Sequence, residues 1–83
     1  MSTPLELTLL GKPDCHLCHV MEAVITPVLA ERGARLVVRD IRDDPALEQR
    51  YRWDIPVLLH GEAEIARHRI DAESLRTRLD AIV

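Results

Sequence analysis

Eighty-three residues are room for one small domain, expected to span residues 1–83, with an economical core. The chain is 47% hydrophobic and 30% charged, which is too apolar for a disordered segment. Eleven Lys and Arg against fourteen Asp and Glu leave a net charge of -3, which counts against a nucleic-acid binder, and with only Tyr51 and Trp53 as aromatics there is no base-stacking platform.

The start, MSTPLELTLLGKPDC, lacks a basic stretch followed by an apolar run, and no window is long enough to cross a bilayer. A cytoplasmic setting without a membrane partner is therefore expected. Two cysteines do not make the disulfide framework of a small secreted domain.

Leu5-Glu6-Leu7-Thr8-Leu9-Leu10 alternates as a strand does, and Gly11-Lys12-Pro13-Asp14 reads as a loop. Asp14 is placed to cap a helix from about Cys15 to about Glu31. Leu17, Met21, Val24, Val28 and Leu29 or Ala30 give that helix its apolar stripe, and Pro27 predicts a kink over Ala23 to Pro27. Gly33 ends it, because glycine takes a left-handed cap cheaply.

Leu36-Val37-Val38 centres a second strand. Asp44-Pro45 reads as an N-cap followed by proline at the first helical position, opening a short helix from Ala46 to about Arg52 with Leu47 and Tyr51 on one face. Ile55 to Leu59 is a third strand, His60-Gly61-Glu62 a turn, and Ala63 to about His68 a fourth strand. Asp71 caps a last helix that turns Leu75, Leu79 and Ile82 inward. The charged runs Arg50, Arg52, Asp54 and Arg67, His68, Arg69 read as solvated surface.

The order is β-α-β-α-β-β-α. The fold class is α/β: a mixed four-stranded sheet with helices on both faces, the first two strands parallel through a right-handed crossover and the last two a hairpin.

Cys15 and Cys18 carry the chemistry. At C-x-x-C spacing on the first turn of a helix that follows a strand, two thiols are close enough to join. Exchange requires a thiolate, and a helix N-terminus favours one through its unpaired N–H groups and dipole. Cys15, nearer the terminus and the solvent, is assigned as the nucleophile; Cys18, one turn deeper, resolves the mixed disulfide. Lys12 either adds positive potential beside Cys15 or is a plain surface lysine. His16 and His19 favour the thiolate if protonated and otherwise point to water; the charge of Asp14 opposes it.

Other readings use the same residues. Cys15-His16-Leu17-Cys18-His19 matches the C-x-x-C-H attachment motif of c-type haem, with His19 as ligand, but no export segment is present and Met21 is too close to His19 to ligate the opposite face. Zinc held by Cys15, Cys18, His16 and His19 is geometrically poor, since adjacent helical residues diverge; no metal is assigned. A binding or adaptor module that keeps the thiols without turning over substrate is the alternative from a different class.

On Gly11-Lys12-Pro13-Asp14-Cys15-His16-Leu17-Cys18 and Ile55-Pro56-Val57, nearly the whole chain resembles the thioredoxin superfamily, closest to short bacterial glutaredoxin-like proteins. The resemblance implies a thioredoxin-like fold and dithiol–disulfide exchange with no tightly bound cofactor. Electrons would come from glutathione or a protein reductase, and the substrate would be a disulfide-bearing protein or a glutathione mixed disulfide. It implies a cis-proline at Pro56 facing the cysteines, with Ile55 offering its backbone polar groups to an extended substrate, Trp53 and Asp54 on the rim, and Lys12 near a glutathione carboxylate. His16 and Leu17 stand where glutaredoxins carry Pro-Tyr or Pro-Phe. Asp54-Ile55 replaces Thr-Val, and Ile65 to Ile70 contains no glycine where they carry a pair.

Overall fold

The alternating leucines of the N-terminal segment form the centre of the sheet. In the computed structural model, which describes residues 5–82, β1 is Glu6–Gly11, α1 His16–Glu31, β2 Arg35–Asp40, α2 Pro45–Tyr51, β3 Val57–His60, β4 Ala63–Arg67 and α3 Ala72–Ile82; a single 3-10 turn covers Ile41–Asp43. The sheet order is β2-β1-β3-β4. β1 runs parallel to β2 and antiparallel to β3, and β3 and β4 form the hairpin.

Because successive strand residues face opposite ways, β1 divides its leucines between two layers. Leu7 and Leu9 join Met21, Ile25, Val28 and Leu29 of α1, Leu58 of β3, and Leu75 and Leu79 of α3. Leu10 joins Ile41, Tyr51 and Val57 in a smaller cluster on the other face, with Leu47 packed against it. Helices thus cover both faces of the mixed sheet.

Local signals set most boundaries. Asp44 accepts the Ala46 N–H at 2.9 Å with Pro45 opening α2, and Asp71 accepts the Ser74 N–H at 2.7 Å at the head of α3. At the end of α1, Gly33 takes φ +64, its N–H reaches the Ala30 carbonyl, and the Ala34 N–H reaches that of Leu29 at 2.9 Å, closing the helix as a left-handed glycine cap does. α1 continues through Pro27 without interruption. One turn earlier, the Thr26 hydroxyl donates to the Glu22 carbonyl at 2.8 Å.

Three expectations are corrected. The N-cap of α1 is Cys15, not Asp14: the Cys15 backbone is extended and its Sγ accepts the Cys18 N–H, so no cap is left for the exposed Asp14. The inward stripe of α1 is Cys18, Met21, Ile25, Val28 and Leu29, while Leu17 is 49% exposed, because the sheet meets the helix on a face turned toward Cys18 and Ile25, away from Leu17 and Val24. β3 begins at Val57 rather than Ile55, since Ile55 and Pro56 serve the bend before it.

Exposed ion pairs tie α1 to α3: Arg76 with Glu31 at 2.8 Å and Arg32 with Asp80 at 2.8 Å. The Arg76 hydrogen bond holds the Glu31 carboxyl below its ordinary range, and the backbone N–H of Ser74 does the same for Asp71. A carboxyl whose pKa is depressed in the fold binds its proton first in the unfolded chain. The stability it adds is present above the unfolded pKa and is lost as pH falls through the folded one. Urea midpoints should therefore fall between about pH 5 and about pH 3, and 0.5 M salt should shrink the part due to the exposed Glu31 pair. A midpoint that stays level through that window would refute this.

Candidate active site

The site forms where β1 hands over to α1. The Cys15 N–H closes a turn onto the Lys12 carbonyl at 3.2 Å, which delivers Cys15 to the helix N-terminus. Cys15 and Cys18 are joined by a disulfide across a Cα–Cα distance of 5.2 Å. The Cys18 N–H points at Cys15 Sγ at 3.2 Å, so the sulfur occupies the place a capping oxygen normally takes. Cys15 is half-buried, whereas Cys18 is only 6% exposed. That asymmetry separates the sulfur a substrate can reach from the one beneath it.

Gly11 is the residue that sequence reasoning passed over. A Cβ built there would lie 2.8 Å from Cys18 Sγ and 3.1 Å from Cys18 Cβ. The last residue of β1 must therefore be glycine for the deeper sulfur to sit against the strand. The available signal was a glycine at a strand end, which often marks a close approach.

The histidines divide. His19 Nε2 lies 2.7 Å from the Pro13 carbonyl; a carbonyl only accepts, so His19 donates, pinning the loop to the second turn of α1. His16 is exposed. Lys12 is half-buried and faces the β2 side. Asp40 is held below its ordinary range mainly by hydrogen bonds from Arg42, with the Lys12 charge adding to them. Lys12, Gly11 and Cys18 also line a groove of about 270 Å³ with Leu9, Val38 and Asp40. This groove lies on the β2 side of the cysteine pair.

Pro56 is buried and the Ile55–Pro56 peptide bond is cis. The segment before it is held from both sides. The Asp54 and Ile55 N–H groups donate to the Tyr51 carbonyl at 2.8 and 3.1 Å, and the Pro56 carbonyl accepts the His68 N–H at 2.8 Å. The Ile55 N–H is thus used internally, which corrects the expectation that both its polar groups face a substrate.

Asp54 is not plain surface either. Arg67 reaches it at 3.1 Å while also holding Glu64 in a two-pronged contact. The charged run around Arg67 is therefore a brace between β4 and the Pro56 segment, built from residues too distant in sequence for spacing to reveal. Trp53, beside it, is 81% exposed with the Arg52 guanidinium 5.1 Å from its ring centre.

His68 stands at φ +68. The stretch without glycine still bends through a left-handed residue, and histidine tolerates that region better than most. We expect His68→Gly to leave thermal stability within about 1 kcal/mol, because relief of strain offsets added chain entropy. His68→Val should lose about 1–2 kcal/mol, since a β-branched residue is a true outlier there. Equal melting temperatures for the two variants would contradict this.

Among the described residues no group of three or more His, Cys, Asp or Glu side chains comes together as a metal site, and no helix is long and apolar enough to cross a membrane.

A β-α-β-α-β-β-α sheet with a C-x-x-C disulfide at the head of its first helix defines a thioredoxin-like domain with the active-site pair of a thiol–disulfide oxidoreductase. The chain belongs to the glutaredoxin-like domain family (DUF836), which it matches over residues 6–80. It is 38% identical to the protein XcR50 of X. campestris, known from an X-ray structure, over 90% of this chain and 96% of that one, with a TM-score of 0.67. The solution structure of Ne2328 from Nitrosomonas europaea shares the fold at 24% identity, 93% coverage of both chains and a TM-score of 0.75. Thioredoxin 1 of Thermosipho africanus does so at 17% identity, covering 93% of this chain and 97% of its own, with a TM-score of 0.61. No curated protein matches the chain.

Proposed function

We propose that this protein reduces disulfides by dithiol exchange, with Cys15 as nucleophile and Cys18 as resolving thiol. The observation that carries the assignment is the pair's asymmetry: Cys15 is half-buried at a helix N-terminus and its Sγ receives the Cys18 N–H, while Cys18 is buried against Gly11. An N–H aimed at sulfur and the helix dipole both favour the thiolate over the thiol.

The Cys15 thiolate attacks one sulfur of the substrate disulfide, forming a mixed disulfide and expelling the other substrate sulfur as a thiolate, which takes up a proton. Cys18 then gives up its proton to solvent and attacks Cys15 Sγ, which releases the second substrate thiol. The substrate gains two electrons and the protein is left with the Cys15–Cys18 disulfide. Two molecules of glutathione, or a protein dithiol reductase, restore the dithiol.

The Ile55 carbonyl beside Pro56 is the backbone group left for an extended substrate strand. Its rim bears Asp54 and Glu64, both held by Arg67, so the two carboxylates nearest the strand are already paired, and Arg52 lies over the neighbouring Trp53 ring. The substrate this arrangement fits is a disulfide-bearing protein that lays an extended segment along Ile55, with a glutathione mixed disulfide as the smaller alternative. His16, exposed beside Cys15, is assigned to the substrate side of the pair, and Lys12 to the groove on its β2 side.

The test is equilibration in defined glutathione buffers, with thiols trapped and intact mass recorded. A reversible two-electron transition of the Cys15–Cys18 pair between roughly -120 and -270 mV supports exchange chemistry. A pair that never cycles, or a mass showing covalently attached haem, refutes it.

A further inference from the structure

The two edges of the sheet are built differently. β4 is blunted: its register against β3 shifts between Leu58 and Leu59, leaving Ile65 as an extra residue, and Arg78 of α3 donates to the Ile65 carbonyl. β2 carries no such protection. Its residues pair with β1 without a shift from Glu6↔Arg35 to Gly11↔Asp40, and it contains no proline.

The outward groups of β2 follow from its pairing. The Arg35 N–H donates to the Leu5 carbonyl at 2.8 Å, so the backbone of Arg35, and by alternation of Val37 and Arg39, is turned to β1. The N–H and C=O groups of Leu36 and Val38 therefore face the open edge. The side chains exposed there are Val37 and Val38, at 38% and 53%. Arg35 and Arg39 flank Val37 on one face, and among the described residues neither has an ion-pair partner, although Glu6 is the register neighbour of Arg35.

We propose that the β2 edge is a docking strand for an extended segment of a partner protein that carries acidic residues opposite Arg35 and Arg39 and apolar or small residues between them. The partner adds a strand to the sheet, pairing its backbone with Leu36 and Val38. A nucleic acid would satisfy the arginines but not the outward N–H and C=O groups. A second copy of this chain, added antiparallel about a two-fold axis at Val37, would set Arg35 against Arg39, like against like. With a net charge of -3 the chain does not attract acidic segments from afar, so selection rests on these two contacts at short range. The edge is separate from the Pro56 rim and the proposal does not rest on thiol exchange, although Val38 also lines the groove beside Cys18.

The probe is a blocked Glu-Val-Thr-Val-Glu peptide, which presents the same pattern in either strand direction, titrated into the 15N-labelled 83-residue protein. The expected result is shifts at the Leu36 and Val38 amides, with slowed hydrogen exchange there and no such response to the Lys-Val-Thr-Val-Lys peptide. Val38→Pro removes an outward N–H without breaking a bond to β1 and should abolish the response. Should that variant fail to fold, Arg35→Glu/Arg39→Glu decides the matter: it should bind the acidic peptide roughly tenfold more weakly and now respond to the lysine peptide. The proposal is overturned by silence at β2, by shifts confined to Ile55–Val57, by equal response to both peptides, or by concentration-dependent shifts at β2 in the protein alone, which would make the edge a self-association surface.

Discussion

Replacing Cys15 by serine is expected to reduce disulfide exchange to background, whereas replacing Cys18 by serine should leave a protein that captures its substrate and cannot release it. The difference follows from position. Cys15 is half-buried and its Sγ receives an N–H from the helix terminus, so a substrate disulfide meets it first. Cys18 is 6% exposed, and its part comes after the mixed disulfide has formed. Mass spectrometry after incubation with a disulfide-bearing substrate protein reads the outcome directly. Cys18→Ser should accumulate a covalent adduct that dithiothreitol removes, and Cys15→Ser should show none. Adduct on Cys15→Ser and not on Cys18→Ser would reverse the roles assigned above.

The second large effect is expected at Gly11. Alanine there places a carbon 2.8 Å from Cys18 Sγ, closer than packed atoms sit, and the neighbour is a tethered sulfur beside strand backbone. Cys18 is tethered to Cys15 and its Cβ is also only 3.1 Å away, so it does not swing clear as a free side-chain end would, and overpacking should cost about 1–3 kcal/mol, or roughly 4–8 °C in melting temperature per kcal/mol for a domain of this size. Gly33 supplies the control. It has φ +64 with nothing within 4 Å of a built Cβ, so alanine there meets only backbone strain, about 1 kcal/mol. Gly11→Ala should melt lower than Gly33→Ala. The reverse order would show that Cys18 can shift away from β1 freely.

What the sequence made legible is what depends on neighbours in the chain. Asp44-Pro45, Asp71 and Gly33 define helix ends through contacts a few residues away, and all three act as read. The succession of elements, the terminal hairpin and the C-x-x-C at the head of α1 are similarly local in origin, whereas the pairing of β1 with β3 joins segments far apart in the chain. Asp14 failed as a cap because the adjacent Cys15 supplies its own acceptor, a sulfur, which the usual preference for oxygen side chains does not anticipate. The stripe on α1 was misplaced at Leu17 because apolar residues lie on more than one side of that helix, and only the sheet decides which side is buried. The Arg67–Asp54 brace and the Gly11–Cys18 contact join elements that folding alone brings together. No spacing rule covers the brace, and the Gly11 contact leaves only the hint of a glycine at a strand end.

Trp53 gives the molecule an unusual optical property. The only tryptophan in the chain stands 81% exposed, one residue before the Asp54–Pro56 segment, with an arginine over its ring and no core around it. Its emission in the native protein already reports water, so unfolding will hardly change its colour, and melts followed by tryptophan fluorescence will look flat while circular dichroism records the transition. The same exposure makes the indole a sensor of whatever settles on the Pro56 rim. A partner that covers it will shift the emission to the blue, whereas a strand added to the distant β2 edge will leave it unchanged, so one cuvette distinguishes occupancy of the two surfaces.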